Sequence, residues 1–123
     1  MIAIDTNIIS TFLRGGEVTI PDGELFVPYA VEAELRYGVS IGGNPKKHEA
    51  VVDEFLNQKQ IVLSNGLSKS ALHHYVTIRA YLKKQGSPIS PNDLWIAAEC
   101  ADLDLPLLTL DDDFDKVPQI SRW

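Results

Sequence analysis

The sequence is poor in cysteine, with Cys100 as the single example, so no disulfide bond can form within the chain. It also lacks an apolar run long enough to span a membrane, and its N-terminus lacks the features of a secretory signal. A chain of 123 residues with 45% hydrophobic content can instead be held together by one apolar core. We therefore expect one domain over residues 1–123, located in the cytoplasm and not associated with a membrane.

Positively charged residues are also scarce, because 11 lysines and arginines accompany 17 aspartates and glutamates, for a net charge of −6. This balance argues against non-specific binding of nucleic acid through a broad basic surface. It leaves room for a local basic groove, or for a metal site in which a cation neutralises several carboxylates. The positions of the acidic residues are therefore the most informative feature of the chain.

Four short apolar runs, each bounded by turn-forming residues, predict β-strands at residues 2–4, 24–27, 60–63 and 105–109. Residues 117–123 are expected to add an edge strand. Apolar residues at helical spacing predict helices in the segments between the strands. Short strands that alternate with helical crossovers predict an α/β fold of three layers, α/β/α, with a short central parallel sheet.

Two of the predicted helices have apolar faces that we expect to point into the core. In the helix over residues 46–57 the inward face consists of Val51, Val52, Phe55 and Leu56. In the longest helix, over residues 67–84, it consists of Ala71, Leu72, Tyr75, Val76, Ile78 and Leu82. A further helix, which begins at Ser90-Pro91, is rich in alanine and is expected to pack closely with Cys100 in the core.

Four acidic residues occupy related positions in this predicted topology. Asp5 follows the first strand, Asp111 follows the last, Asp93 lies at a helix N-terminus, and Glu34 lies one turn into the helix after the second strand. Because the carboxyl ends of parallel strands share one edge of the sheet, all four carboxylates can converge there. Each also has a simpler explanation: a helix cap for Asp5, a capping box with Ser90 for Asp93, and solvated positions for the other two.

Convergent carboxylates repel one another and take up protons unless a cation is present. Mg²⁺ is the cation that such an oxygen-rich site suits, because it prefers oxygen ligands and binds through carboxylates together with substrate phosphates. A metal ion held in this way can activate water and stabilise the charge that develops during phosphodiester hydrolysis. The four acids therefore favour a metal-dependent phosphodiesterase.

Four segments also resemble the motifs of the PIN-domain ribonucleases, and in particular the VapC-type toxins of toxin–antitoxin pairs. They are Ile4-Asp5-Thr6-Asn7, Glu34-Leu35-Arg36-Tyr37-Gly38, Pro91-Asn92-Asp93-Leu94-Trp95-Ile96-Ala97-Ala98 and Leu108-Thr109-Leu110-Asp111-Asp112-Asp113-Phe114. The similarity covers essentially the whole chain. Any one of these segments is a weak signal, whereas four in order at suitable separations are specific.

The resemblance implies a Mg²⁺- or Mn²⁺-dependent endoribonuclease that acts on structured RNA, often transfer RNA or ribosomal RNA. It assigns the acidic quartet to Asp5, Glu34, Asp93 and Asp111, with Asp113 as a further acid and either Asp111 or Asp113 pointing inward. Polar residues that orient the acids or water would be Thr6, Asn7 and Thr109. It also implies a homodimer, and a cognate antitoxin that binds in the grooves of the N-terminal helices.

The alternative is a Mg²⁺-binding regulatory module without nuclease activity, similar to a receiver domain. Such domains also have acids at strand ends, but they need a lysine after a late strand, and Leu110-Asp111 provides none there. Among the basic residues, Arg14 and Arg36 are the best placed to contact substrate phosphates. Lys83 and Lys84 suit the negative end of a helix dipole.

Overall fold

A computed structural model describes all of residues 1–123. The structure has four strands, with one or two helices between successive strands, and a 3₁₀ turn after the last strand. In chain order they are β1 (Ile2–Ile4), α1 (Thr6–Leu13), β2 (Leu25–Val27), α2 (Tyr29–Ser40), α3 (Pro45–Leu56), β3 (Ile61–Leu63), α4 (Lys69–Gln85), α5 (Pro91–Leu103), β4 (Leu107–Leu108) and the 3₁₀ turn Asp112–Lys116. The predicted three-layer α/β/α architecture with a central parallel sheet is confirmed.

The sheet is parallel throughout, and its strand order is β3-β2-β1-β4. Ala3 of β1 lies opposite Phe26 on one side and opposite Leu107 on the other, so β1 is central. Its inner residues are fully buried, as expected for short strands that are covered on both faces. From β1 the chain adds β2 and then β3 on one side of the sheet, and it later returns to place β4 on the other side of β1. This reversal creates a crevice at the carboxyl ends of β1 and β4, where open α/β sheets bind their ligands.

Local sequence explains where the helices that border this crevice begin and end. Asp5 accepts a hydrogen bond from the first backbone N–H of α1, and Ser90 accepts one from Asp93 in the first turn of α5. Pro91 occupies the first position of α5, where a missing N–H costs nothing. Gly86 ends α4 in the left-handed conformation, with φ of 67°. The break that follows lets α5 fold back against α4.

The inward faces predicted for α3 and α4 are only partly correct. Val52, Phe55 and Leu56 of α3 are buried, but Val51 is 37% exposed; on α4, Leu72 and Val76 are exposed by 39% and 58%. The other residues of the predicted inward face of α4 lie in or beside the core, and they are Ala71, Tyr75, Ile78 and Leu82. The reason is that α4 packs chiefly against α5. One neighbouring helix covers a narrower stripe than a sheet would.

The edge strand predicted over residues 117–123 is wrong. This segment makes a single parallel bridge, between Leu107 and Arg122, and no strand. Its short pairing consists of Leu107 N–H to Ser121 O and Trp123 N–H to Leu107 O, both 2.9 Å. Pro118 has no N–H to extend the ladder toward the N-terminus. The structure also contains no helix with both the length and the apolar character needed to cross a membrane.

Candidate active site

Asp5 lies at the carboxyl end of β1 and is only 4% exposed. Its Oδ1 atom accepts the backbone N–H of Thr6 at 2.7 Å. Its Oδ2 atom accepts the hydroxyl of Thr109 at 2.6 Å and the side-chain amide of Asn7 at 3.2 Å. Asp5 therefore caps α1 and also has its carboxylate fixed at the crevice. The two explanations of this residue are compatible, because Oδ1 accepts only one hydrogen bond and keeps a free acceptor direction.

Thr109 and Asn7 connect Asp5 to the turn that follows β4. The Thr109 hydroxyl donates to Asp5 and accepts the backbone N–H of Asp111 at 3.0 Å. The Asn7 side-chain oxygen accepts the backbone N–H of Leu110 at 3.2 Å. The two loops at the ends of β1 and β4 are thus joined by side-chain hydrogen bonds, which hold the acids on those loops in fixed positions.

Three further aspartates form a cluster beside Asp5. One carboxylate oxygen from each of Asp93, Asp111 and Asp113 lies within 4.8 Å of the other two. The backbone N–H of Asp93 donates to Ser90, and the Asp93 side chain reaches the carboxylates of the other two acids. Asp113 also forms an ion pair with Lys116 at 3.0 Å. Asp111 and Asp113 therefore both belong to the cluster. The sequence left open which of the two points inward, and in the structure both do.

Electrostatic repulsion links this cluster to Asp5 and Glu34. Burial, followed by the charges of Asp5, Asp111 and Asp113, raises the pKa of Asp93 to about 6. Burial, followed by the charges of Asp5 and Asp93, raises the pKa of Glu34 above its usual range. Burial and the Asp111 charge also raise the pKa of Asp5, despite the hydrogen bonds that it accepts. The structure thus brings Asp93, Asp111 and Asp113 into one cluster, with Asp5 and Glu34 near enough to interact with it electrostatically. We call these five acids the acidic cup.

The donor set of the acidic cup fits a hard divalent cation. Its charged ligand atoms are carboxylate oxygens, and no histidine or cysteine joins the cluster, which disfavours a soft metal. The Thr6 hydroxyl is buried and forms no hydrogen bond of ordinary geometry. Weak hydrogen bonding from this hydroxyl to the Glu34 carboxyl lowers the pKa of Glu34. A buried hydroxyl without a partner at an acidic site is expected to contact a bound water or ligand.

The sequence of the chain matches a known protein family. The PIN domain model matches residues 2–120, which is nearly the entire chain. The chain belongs to the PIN-domain family. The resemblance inferred from the four acidic segments is thereby confirmed.

The relatives of this PIN domain are VapC proteins. Ribonuclease VapC2 of Haemophilus influenzae is 31% identical over 101 residues, which span 77% of this chain and 74% of the relative. The tRNA(fMet)-specific endonuclease VapC of Shigella flexneri is 25% identical over 112 residues, which span 86% and 83%. Recognition of the chain as a VapC-type PIN domain is therefore correct.

Solved structures of VapBC proteins have the same fold. VapBC-1 from nontypeable Haemophilus influenzae superimposes with a TM-score of 0.85 at 25% identity, covering 100% of this chain and 97% of the other. VapBC-5 from Mycobacterium tuberculosis, a member of the VapBC family of toxin–antitoxin systems, gives a TM-score of 0.71 at 27% identity, with coverages of 99% and 98%. The similarity thus extends over the full PIN domain.

Arg14 and Arg36, the two arginines predicted to contact substrate phosphates, differ in their surroundings. Arg36 forms ion pairs with Glu32 at 2.9 Å and with Asp53 of α3 at 3.0 Å, so its charge is already compensated. Arg14 forms no ion pair, and it lines a groove of about 530 Å³ that also includes Glu34 and Lys47. Arg14 is therefore the more available cation beside the acidic cup.

Glu99 is a functional candidate that the sequence analysis missed. This α5 residue is 4% exposed, and its carboxylate accepts the backbone N–H of Tyr29 at 2.6 Å and the Ser64 hydroxyl at 2.7 Å. Pro28 has no side chain that can cap α2, so Glu99 supplies the missing acceptor. It thereby joins α5, which carries Asp93, to α2, which carries Glu34. The available signal was an acid inside the apolar run Ile96–Ala101.

Replacing Thr109 with valine is expected to reduce any metal-dependent activity of the acidic cup by about 10–100-fold. Valine keeps the shape of threonine, but Asp5 then loses its shortest hydrogen bond and the Asp111 N–H loses its acceptor. Activity and thermal unfolding should be measured together. Thr77→Val on the exposed face of α4 is the matched control, and an equal effect of both substitutions would contradict the role assigned to Thr109.

Proposed function

We propose that this protein is a metal-dependent endoribonuclease and the toxin of a type II toxin–antitoxin pair. The observation that carries the proposal is the convergence of Asp5, Glu34, Asp93 and Asp111 at the reversal point of the sheet. Relatives named as VapC ribonucleases support the same conclusion. The functional unit is the single PIN-like domain formed by residues 1–123.

The four acids would hold Mg²⁺ or Mn²⁺, with Asp113 beside them. The bound cation supplies Lewis-acid stabilisation of the phosphate and an acidified water. Thr109, Asn7 and the Thr6 N–H keep the Asp5 carboxylate oriented before substrate arrives, which avoids reorganisation during the reaction. The buried Thr6 hydroxyl would orient a water molecule near Glu34.

The relatives and the surface support proposals for the substrate and the partners. A relative named as a tRNA(fMet)-specific endonuclease makes transfer RNA the first substrate to test, with ribosomal RNA second. The groove of about 530 Å³ beside Glu34 is lined by residues of α1, α2 and α3, and is our candidate seat for the cognate antitoxin. Solved structures of VapBC systems support an antitoxin partner. We further propose that the protein acts in the cytoplasm as a homodimer.

Incubation with total transfer RNA or ribosomal RNA in Mg²⁺, Mn²⁺ or EDTA tests this function. We expect cleavage with either metal, none in EDTA, and products with 5′-phosphate and 3′-hydroxyl ends, because water and not the ribose 2′-hydroxyl is the nucleophile. Asp5→Asn should abolish cleavage, whereas Asp22→Asn in an exposed loop should not. Cleavage that persists in EDTA would refute the metal mechanism. An absence of cleavage in all RNA classes would favour the regulatory Mg²⁺-binding module.

A further inference from the structure

A second groove, of about 430 Å³, lies between the C-terminal half of α4 and the start of α5. Its lining is formed by Arg79, Leu82, Lys83, Pro88, Ile89, Pro91 and Leu94. Asp93 lies between Pro91 and Leu94 in the chain, so the groove begins within one helical turn of the acidic cup. We call it the α4–α5 groove.

The two cations of the α4–α5 groove are available for a ligand. Arg79 and Lys83 are four residues apart on α4, so they lie on the same face of the helix. Neither takes part in a salt bridge, whereas Arg36, Lys116 and Arg122 are all paired with aspartate or glutamate. Two positive charges without an acidic partner thus lie in one groove of a protein whose net charge is −6.

Arg79 is also held in place by aromatic side chains. Its guanidinium group donates to the Tyr75 hydroxyl at 2.8 Å and lies 5.9 Å from the centre of the Tyr75 ring. Tyr75 in turn stacks on Trp95 of α5, with ring centres 4.0 Å apart and an angle of 22° between the planes. The arginine is therefore positioned by the contact between the two helices, which reduces the entropy lost when it binds a ligand.

We propose that the α4–α5 groove binds the phosphates of the RNA strand next to the bond that is cut. This proposal rests on the nuclease function proposed above and names the path that its substrate takes. A polyanion that enters a cup of several carboxylates needs compensating cations at the rim, and phosphate contacts of this kind set the register of a strand. Arg79 and Lys83 supply them beside Asp93, while Arg14 and Lys47 supply them beside Glu34.

The lining of the groove agrees with a nucleic-acid strand. Pro88 and Ile89 offer apolar surface to a ribose or base, while the two cations lie on α4. A strand bound in this way is recognised through its backbone, so the groove contributes affinity and not base specificity.

The test is the affinity for a short 5′-fluorescein-labelled single-stranded RNA, measured by fluorescence anisotropy in EDTA, where no cleavage is expected. The variant Arg79→Gln/Lys83→Gln should bind about tenfold more weakly. Its plot of log affinity against log salt should be shallower by about 1.4, or about 0.7 for each lost phosphate contact. The charge-conserving exchange Arg79→Lys/Lys83→Arg should retain the salt dependence of the unsubstituted protein.

The control removes two charges elsewhere. Lys59 precedes β3, and Lys69 begins α4, about 20 Å along the helix from Lys83. Lys59→Gln/Lys69→Gln should leave the affinity within about twofold, and thermal unfolding should confirm that each variant folds. Equal loss in both neutralised variants, no loss in either, or no measurable binding by the unsubstituted protein would overturn the proposal. RNA binding that depends on the groove without cleavage in Mg²⁺ or Mn²⁺ would instead refute the nuclease function alone.

Discussion

Asp93→Asn is expected to lower kcat/KM for RNA cleavage on the order of 1,000-fold in saturating Mg²⁺ or Mn²⁺. Asparagine is nearly isosteric with aspartate but removes one negative charge from the centre of the acidic cup. Asp93 is the residue whose carboxylate meets both Asp111 and Asp113 within 4.8 Å and whose pKa responds to Asp5. Its loss therefore weakens the contact with a bound cation more than the loss of a residue at the rim.

The same substitution is expected to stabilise the metal-free protein at neutral pH. Asp93 has a pKa of about 6 in the folded state, against an ordinary value of 3.8, so the folded state binds the proton more tightly. Its contribution to stability is therefore present below pH 4 and is lost as the pH rises through 6. In EDTA, the melting temperature of the unsubstituted protein should fall over this interval, and that of Asp93→Asn should fall less. Above pH 7 the variant should melt at the higher temperature.

A loss of activity together with a gain in stability distinguishes a functional role of Asp93 from a structural one. A substitution that only damaged the fold would lower both activity and melting temperature. Asp112→Asn is the matched control, because the side chain of Asp112 is 88% exposed and contacts Arg122 instead of the cup. It should change activity by less than about twofold and stability by less than about 0.5 kcal/mol. If Asp93→Asn kept more than a tenth of the activity, Asp93 would not be a direct ligand.

The positions of the acids could be predicted because they depend on topology more than on packing. A continuous apolar run such as Leu25–Val27 indicates a buried parallel strand, and parallel strands deliver their following residues to one edge. The predicted convergence of Asp5, Glu34, Asp93 and Asp111 required only that the strands be parallel and the crossovers helical. It did not require the strand order, which the sequence alone left undetermined.

What escaped prediction depends on contacts between residues distant in the chain. The hydrogen bond from Thr109 to Asp5 spans 104 positions, and the bond from Tyr29 to Glu99 spans 70. Periodicity describes one helix at a time, so it could not show that α4 lies on α5 and leaves Val76 exposed. Nor could it show that the pairing of Leu107 with the C-terminal segment stops after a single bridge.

Phe114 shows how the apolar core supports the position of the acids. It lies in the 3₁₀ turn directly after Asp113, and its side chain is 2% exposed within the core. Its backbone N–H donates to the carbonyl of Asp111 at 3.4 Å, and its own carbonyl accepts the N–H of Val117 at 3.1 Å. The ring therefore anchors the turn and, with it, Asp111 and Asp113, which lie close to Asp93.

Phe114→Ala is expected to destabilise the protein by about 3–5 kcal/mol, because it removes a buried ring and leaves a cavity beneath the acidic turn. Phe12→Ala is the matched control: Phe12 is 43% exposed and covers one side of the buried Phe55, so its loss should cost about 1 kcal/mol. Urea unfolding gives both values. Phe114→Leu should recover most of the stability and, with it, the metal affinity measured by calorimetry. If Phe114→Ala unfolded at the same urea concentration as Phe12→Ala, the turn would be held by its hydrogen bonds and not by the core.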